Sequence, residues 1–266
     1  MVQHLWLVPV GVLVGTFGTL IDAGGGFILA PVLPLMYPYE SPEILTSISL
    51  AVVFFNALSG SGAYARMRRI DYRSGVLFAV ATVPGAVVGA LTTGYIPRRA
   101  FDLLFGTCMI VAALFLLVRQ GRARSEQQCG AHHIHRTLID TEGTRYTFSY
   151  NPVLGVVLSV VVGYFSSLLG IGGGIIHVPV MARVLHFLVH IATATSHFTL
   201  AVMALVGMLV HIATGAFHHG IRRTIALALG VLIGAQLGAR LSHAVHGVWI
   251  LRCDKRYLTP FRHVSG

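Results

Sequence analysis

Two stretches of this 266-residue chain, 5–36 and 152–185, are apolar for more than thirty residues each, and each carries three consecutive glycines near its middle. A helix needs roughly 20 apolar residues to cross a hydrocarbon core, so each stretch is too long for one straight span. A proline follows each triplet by five residues, Pro31 after Gly26 and Pro179 after Gly174. Five further apolar stretches, 44–63, 75–95, 101–118, 191–213 and 224–241, are each close to one span. Charged residues make up 11% of the chain, where a soluble domain carries about 25%, and mean hydropathy is +0.76. The chain therefore reads as an all-α integral membrane protein.

The two long stretches are copies of each other. At an offset of 148, Gly15, Leu20, Gly24, Gly25, Gly26, Ile28, Pro31 and Val32 match Gly163, Leu168, Gly172, Gly173, Gly174, Ile176, Pro179 and Val180. At an offset of 149, Thr46-Ser47 matches Thr195-Ser196, and 84–90 matches 233–239. Three landmarks in order point to duplication, a common plan in secondary transporters. The expected architecture is two tandem repeats of transmembrane helices, each opening with a long helix broken at Gly-Gly-Gly. The first repeat is 1–118, a polar cytoplasmic linker is 119–151, and the second repeat is 152–251. The counterpart of the helix at 101–118 should recur near 250–266, but that region is polar and basic. The last helix is thus expected to be missing or truncated, leaving a basic tail at 252–266. Within the linker, 145–150 reads as a short ordered or interfacial segment.

Net charge is +10, almost all from arginine; Lys255 is the one lysine. The arginines sit between apolar blocks rather than along one basic face, which excludes a nucleic-acid surface and makes them orientation signals and headgroup anchors. With each long block crossing once, Arg66, Arg68, Arg69, Arg73, the linker arginines, Arg222 and Arg223 fall on one side, read as cytoplasmic with the N-terminus. Arg98, Arg99 and Arg183 fall on the other. A re-entrant course would break this segregation, so crossing is the expected course. It leaves one conflict: the basic tail falls on the non-cytoplasmic side. The segment 1–19 lacks the basic start of a signal peptide, and its apolar run continues too far.

Irregular backbone at membrane depth is tolerated only inside protein or along a cavity, and each glycine costs a helix about 1 kcal/mol relative to alanine. The triplets Gly24, Gly25, Gly26 and Gly172, Gly173, Gly174 therefore suggest broken helices, whose second halves present free N–H groups and a positive dipole end to an anion. Close helix packing through small residues is the alternative. Thr46, Ser47, Thr195 and Ser196 hold equivalent places in the repeat. Their neutral hydroxyls either donate to an oxyanion or bond between helices and back to their own backbone. Intramembrane ionisable residues are functional candidates, here Asp22, His177, His197 and His211. His177 and His197 either bind an anion when protonated, couple transport to a proton, or act as neutral helix–helix histidines, the reading preferred for His211. Gly85, Gly89, Gly234 and Gly238 lie in small-xxx-small patterns read as packing. The His132-His133-Ile134-His135 tract reads as a solvated loop rather than a metal site, and the spacing of Cys108, Cys129 and Cys253 fits neither metal nor disulfide frameworks. No metal or cofactor is expected.

At the glycine triplets the sequence resembles the sulfite exporter TauE/SafE family, also called the 4-toluene sulfonate uptake permeases. The resemblance rests on the run from Gly170 to Pro179 (Gly-Ile-Gly-Gly-Gly-Ile-Ile-His-Val-Pro), on Ala194-Thr195-Ser196, on 234–240, and on their first-half partners, covering about 10–250. It implies transport of sulfite, sulfonates or sulfoacetate-like anions across a bacterial inner membrane. The sequence departs from the family in lacking the final helix and in reading Asp22-Ala23-Gly24 where the second copy reads Gly170-Ile171-Gly172.

The leading reading is a secondary transporter of small sulfur-containing or organic anions with a midplane site between the repeats. Its partners are a small anionic substrate and the bilayer, with a homo-oligomer left open. A carrier or channel for a different small solute is the first alternative. An intramembrane enzyme using Asp22 with His177 or His197 is the second, and it lacks a paired-catalyst motif.

Overall fold

The structure is a computed structural model that describes residues 6–20, 24–118, 134–139, 141, 145–219 and 221–257. Nine α-helices and a two-stranded ribbon occupy these residues: α1 (Leu7–Leu20), α2 (Gly26–Met36), α3 (Pro42–Arg66), α4 (Tyr72–Thr93), α5 (Arg98–Val118), β1 (Ile134–Ile139), β2 (Arg145–Tyr150), α6 (Pro152–Leu169), α7 (Gly174–Arg183), α8 (Val189–Ala213) and α9 (Ile221–Tyr257). Among the described residues, five segments are long and apolar enough to cross a membrane: α3, α4, α6, α8 and the Arg223–Leu241 part of α9. The protein is a multi-pass, all-α membrane protein in its described spans.

Local chemistry sets several helix starts. Ser41 caps α3 by accepting the Ile44 N–H, with Pro42 opening the first turn. Asn151 caps α6 by accepting the N–H groups of Val153 and Leu154, with Pro152 in the same role. A proline whose missing N–H falls in the first turn costs the helix nothing there.

The helices pair across the halves. Gly11 packs on Leu227 and Gly230, Gly15 on Val231, and Gly238 on Thr16 and Thr19, so α1 and α9 run in the same direction. Gly155 meets Phe78, Gly163 meets Thr82, and Gly89 meets Tyr164 and Leu168, so α4 and α6 also run together. A methyl group on Gly85, Gly89, Gly230 or Gly234 would overlap a carbonyl oxygen of the facing helix. Close backbone approach thus explains the small-residue stripes at Gly85, Gly89, Gly234 and Gly238. At the centre, α3 and α8 run antiparallel, with Leu50 beside Gly207 and Gly60 beside His197.

With the start of α3 taken as the lower end, the long apolar blocks depart from the expected course. The stretch 5–36 is not a single crossing. α1 rises from the lower end, the chain turns at Gly24 and Gly25, and α2 descends against α3. Gly26 packs on Val53, while the Pro34 carbonyl accepts from Arg98, whose guanidinium also donates to the Glu40 carbonyl at the lower end. At 14 and 11 residues, α1 and α2 measure about 21 and 17 Å at 1.5 Å per residue, short of a core of roughly 30 Å. The stretch 152–185 makes the matching hairpin from the upper end: α6 descends beside α4, and α7 climbs back to Met181 and Leu185, which pack on Phe148 and Tyr150 of the ribbon. Both long blocks are re-entrant.

Re-entry reverses the parity of every loop after the first hairpin, and the arginines still segregate. The α3–α4 connection with Arg66, Arg68, Arg69 and Arg73, the ribbon with Arg136, and Arg183 at the end of α7 share the upper end. Arg98 and Arg99 open α5 at the lower end, and Arg222 and Arg223 open α9 there. The expectation that re-entry would break the segregation is therefore corrected. α9 continues for 37 residues to Tyr257, about 55 Å, so the helix extends over residues 252–257, the first part of the expected tail. The linker residues 119–133 lie outside the described residues; Arg145–Tyr150 forms β2.

Candidate functional site

The tips of the two hairpins meet. A Cβ on Gly24 would lie 3.9 Å from the Gly172 carbonyl oxygen, and one on Gly26 would overlap the Ile171 carbonyl. Gly24 and Gly25 have φ of 69° and 73°, and Gly170, Gly172 and Gly173 have φ of 67°, 83° and 67°. This left-handed backbone is open to glycine at no steric cost, which is why the chain reverses at these triplets. α2 begins after Gly25 and α7 after Gly173, and neither N-terminus is capped by a side chain. Two helix N-termini, each carrying roughly half a positive charge, thus converge from opposite ends of the bundle.

Buried polar atoms surround the tips. Thr19 donates to the Asn56 carboxamide oxygen at 3.1 Å, leaving Asn56 Nδ2 buried, unpaired and beside Gly25. Ser166 Oγ lies 2.9 Å from where a Gly173 Cβ would sit and is buried and unpaired. Ser167 Oγ, near Gly207, and Thr46 Oγ1 are also buried without a partner. Thr46 backs onto Gly170, whose carbonyl accepts the Ser49 hydroxyl at 2.6 Å. Buried polar groups without partners are uncommon. All four of these atoms are neutral donors, or hydroxyls able to donate, suited to a ligand rich in acceptors.

The sequence candidates therefore divide. Gly24, Gly25, Gly26, Gly172, Gly173 and Gly174 come together at the tips, with Thr46 next to them. Ser47 instead donates to the Ile44 carbonyl of its own helix. Thr195, Ser196 and His197 face three different neighbours. Thr195 Oγ1 accepts the Asp71 N–H at the start of α4. Ser196 Oγ lies 3.1 Å from His177 Nδ1 on α7. His197 packs on Gly60 and edge-on against Tyr64 of α3. His177 is buried, with Ser159 Oγ 3.5 Å from Nε2 and Phe78 at its edge, on the upper flank of the second hairpin rather than at its tip. Asp22, His132 and His133 lie outside the described residues, and His135 is an exposed residue of β1. Asn56, Ser166 and Ser167 were not singled out from the sequence. A lone amide inside an apolar block, and a serine pair just before a glycine triplet, were the signals available.

The family described as sulfite exporter TauE/SafE matches residues 7–253. The probable membrane transporter protein YunE of Bacillus subtilis is 33% identical over 243 residues, covering 89% of this chain and 87% of that protein. A probable membrane transporter protein of Methanocaldococcus jannaschii is 28% identical over 181 residues, 66% of this chain and 60% of that protein. One of Xylella fastidiosa is 30% identical over 171 residues, 64% and 59% respectively. No solved structure matches.

Proposed function

The chain belongs to the sulfite exporter TauE/SafE family, and from that premise we propose that it is a membrane transporter, not an enzyme, that carries small sulfur-containing or organic oxyanions by secondary transport. The observation that carries this reading is the convergence of two uncapped helix N-termini on hairpin tips ringed by unpaired neutral donors. Half-helix N-termini pointing at an anion are a recurring transporter device. Neutral donors hold an anion without the lasting trap of a fixed positive charge.

In this reading the substrate binds near Gly25, Gly173, Asn56, Ser166 and Thr46. The hairpins enter from opposite ends, so withdrawing one tip opens the site to one side while the other tip stays closed. The upper end, rich in arginine, is the cytoplasmic side.

The test is a melting-temperature series on purified protein against sulfite, sulfate, thiosulfate, sulfoacetate, taurine, acetate and chloride. A ligand that binds only the folded state stabilises it by about 2.7 kcal/mol at 100 times Kd. A selective rise with a sulfur oxyanion, followed by saturable uptake of that anion into proteoliposomes, is the expected result. Saturable flux of a different solute with no sulfur-anion effect would overturn the substrate class.

A further inference from the structure

We propose that the upper end carries a second anion site, in a cavity between the β-ribbon and the start of α4, that takes a phosphate-type oxyanion through Arg73 and Arg136. The inference does not depend on the hairpin tips or on the transported substrate.

The cavity has a volume of about 320 Å³ and is lined by Asp71, Tyr72, Arg73, His135, Arg136, Thr137 and Leu138. Its size falls in the range of small-ligand sites, about 300–1,000 Å³. The residue that asks for a ligand is Arg136. Strand register sets it opposite Phe148, and alternation puts both on one face of the ribbon. That face turns toward the helices: Phe148 is buried against Phe187 and Tyr150, and Leu138 packs beside them. A guanidinium on this apolar face is out of character with its neighbours, and its Nε is buried with no hydrogen-bond partner.

A buried polar atom without a partner is costly, more so when charged. Arg73 is exposed at the mouth of the same cavity, and His135 is exposed beside it on the ribbon. The carboxylate in the lining, Asp71, is buried and already engaged: it accepts the Ser74 hydroxyl, which in turn lies 2.6 Å from the Tyr150 hydroxyl. It forms no ion pair with either arginine among the described residues. Two guanidiniums, one with an unmet donor, match a multiply charged oxyanion.

The site is tied to the transport machinery through its floor. The Asp71 N–H donates to Thr195 on α8, and Tyr150 packs on Phe78 and Phe187 above the second hairpin. An anion in this cavity would fix the ribbon against α4 and the top of α7.

The same chemistry is offered by free inorganic phosphate and by the headgroup of an anionic phospholipid. The test uses the full chain in nanodiscs of phosphatidylcholine, titrated calorimetrically with inorganic phosphate, and in nanodiscs containing phosphatidylglycerol, followed by native mass spectrometry of retained lipid. Wild type, Arg73→Gln, Arg136→Gln and, as a control at the opposite end, Arg99→Gln are compared. The expected result is binding in one arm, weakened about tenfold or more by Arg73→Gln and by Arg136→Gln and unchanged by Arg99→Gln. Phosphate binding assigns a soluble ligand; selective phosphatidylglycerol retention assigns a lipid headgroup. Arg73 is exposed, so its variant reads the site independently of any part Arg136 plays in folding. Absence of binding in both arms, or binding that survives both substitutions, overturns the proposal.

Discussion

Gly173→Ala puts the hairpin-tip reading at risk with a single methyl group. Gly173 holds φ 67°, and an L-residue in the left-handed region costs roughly 1–2 kcal/mol. The new Cβ would also lie 2.9 Å from Ser166 Oγ and 3.1 Å from Ser166 Cβ, closer than ordinary van der Waals contact. Together these give a strain of about 2 kcal/mol, within the range for a residue held in a sparsely populated conformation. Relief requires the backbone to leave the left-handed region. That would break the Gly174 N–H bond to the Gly172 carbonyl, 2.9 Å in the native tip, and swing the first amides of α7 out of line. An anion bound there loses affinity by the same free energy, about thirtyfold. The assay pairs ligand-induced melting shifts with proteoliposome flux of the best anion in the panel. Gly62→Ala is the control, because a Cβ there meets nothing within 4 Å and its φ is ordinary. Wild-type affinity and flux in Gly173→Ala would refute the tip as the anion cradle.

The two threonines of the repeat should behave differently. Thr46→Val should weaken anion binding by several-fold, because Thr46 Oγ1 is unpaired beside the tip. Thr195→Val should instead lower the unliganded melting temperature, because it strips the Asp71 N–H of its acceptor, a loss of about 1–3 kcal/mol. Equal effects on ligand titrations would count against the placement of the site. Gly85→Leu should abolish folding, since even a methyl there overlaps the Val160 carbonyl, and full-level folded protein would mean that α4 and α6 are not in contact. Membrane-impermeant labelling of single cysteines at Arg68 and Arg99 should reach opposite sides of the bilayer. A cysteine placed before α1 should label with Arg99→Cys; labelling together with Arg68→Cys would restore the crossing topology.

What the sequence disclosed, and what it hid, follows from which contacts are local. Span lengths, the helix breaks at the triplets and the packing glycines are all written in composition and spacing. The course of the chain after each break is not. Hydropathy is the same for an apolar segment that continues outward and for one that doubles back, and the choice is made by α2 settling against Val53 of α3. The Thr195-Ser196-His197 run shows the same limit at the level of side chains. Successive helix residues point about 100° apart, so three adjacent polar groups in a central helix reach three neighbours: α4, α7 and α3. Sequence adjacency suggested one site. Ser47 takes the other course open to a serine inside a helix and bonds its own backbone.

The conflict over the basic C-terminal segment was itself evidence about the fold. Counted with two full crossings, the long blocks put the N-terminus and the linker on one side and the tail with its four basic residues, Arg252, Lys255, Arg256 and Arg262, on the other. Counted as hairpins, they remove one crossing from each half. The first half then runs up α3, down α4 and up α5, and the chain reaches the ribbon at the end opposite the start of α1. The second half has two, α8 and α9, and returns the C-terminal end of α9 to the linker side. Among the described residues, Arg98, Arg99, Arg222 and Arg223 then stay at the lower end, and Arg98 and Arg223 there are engaged with Asp102 and Glu40. Re-entry is thus favoured by the charge rule, because the rule weighs the whole distribution of basic residues and not the loops of one half.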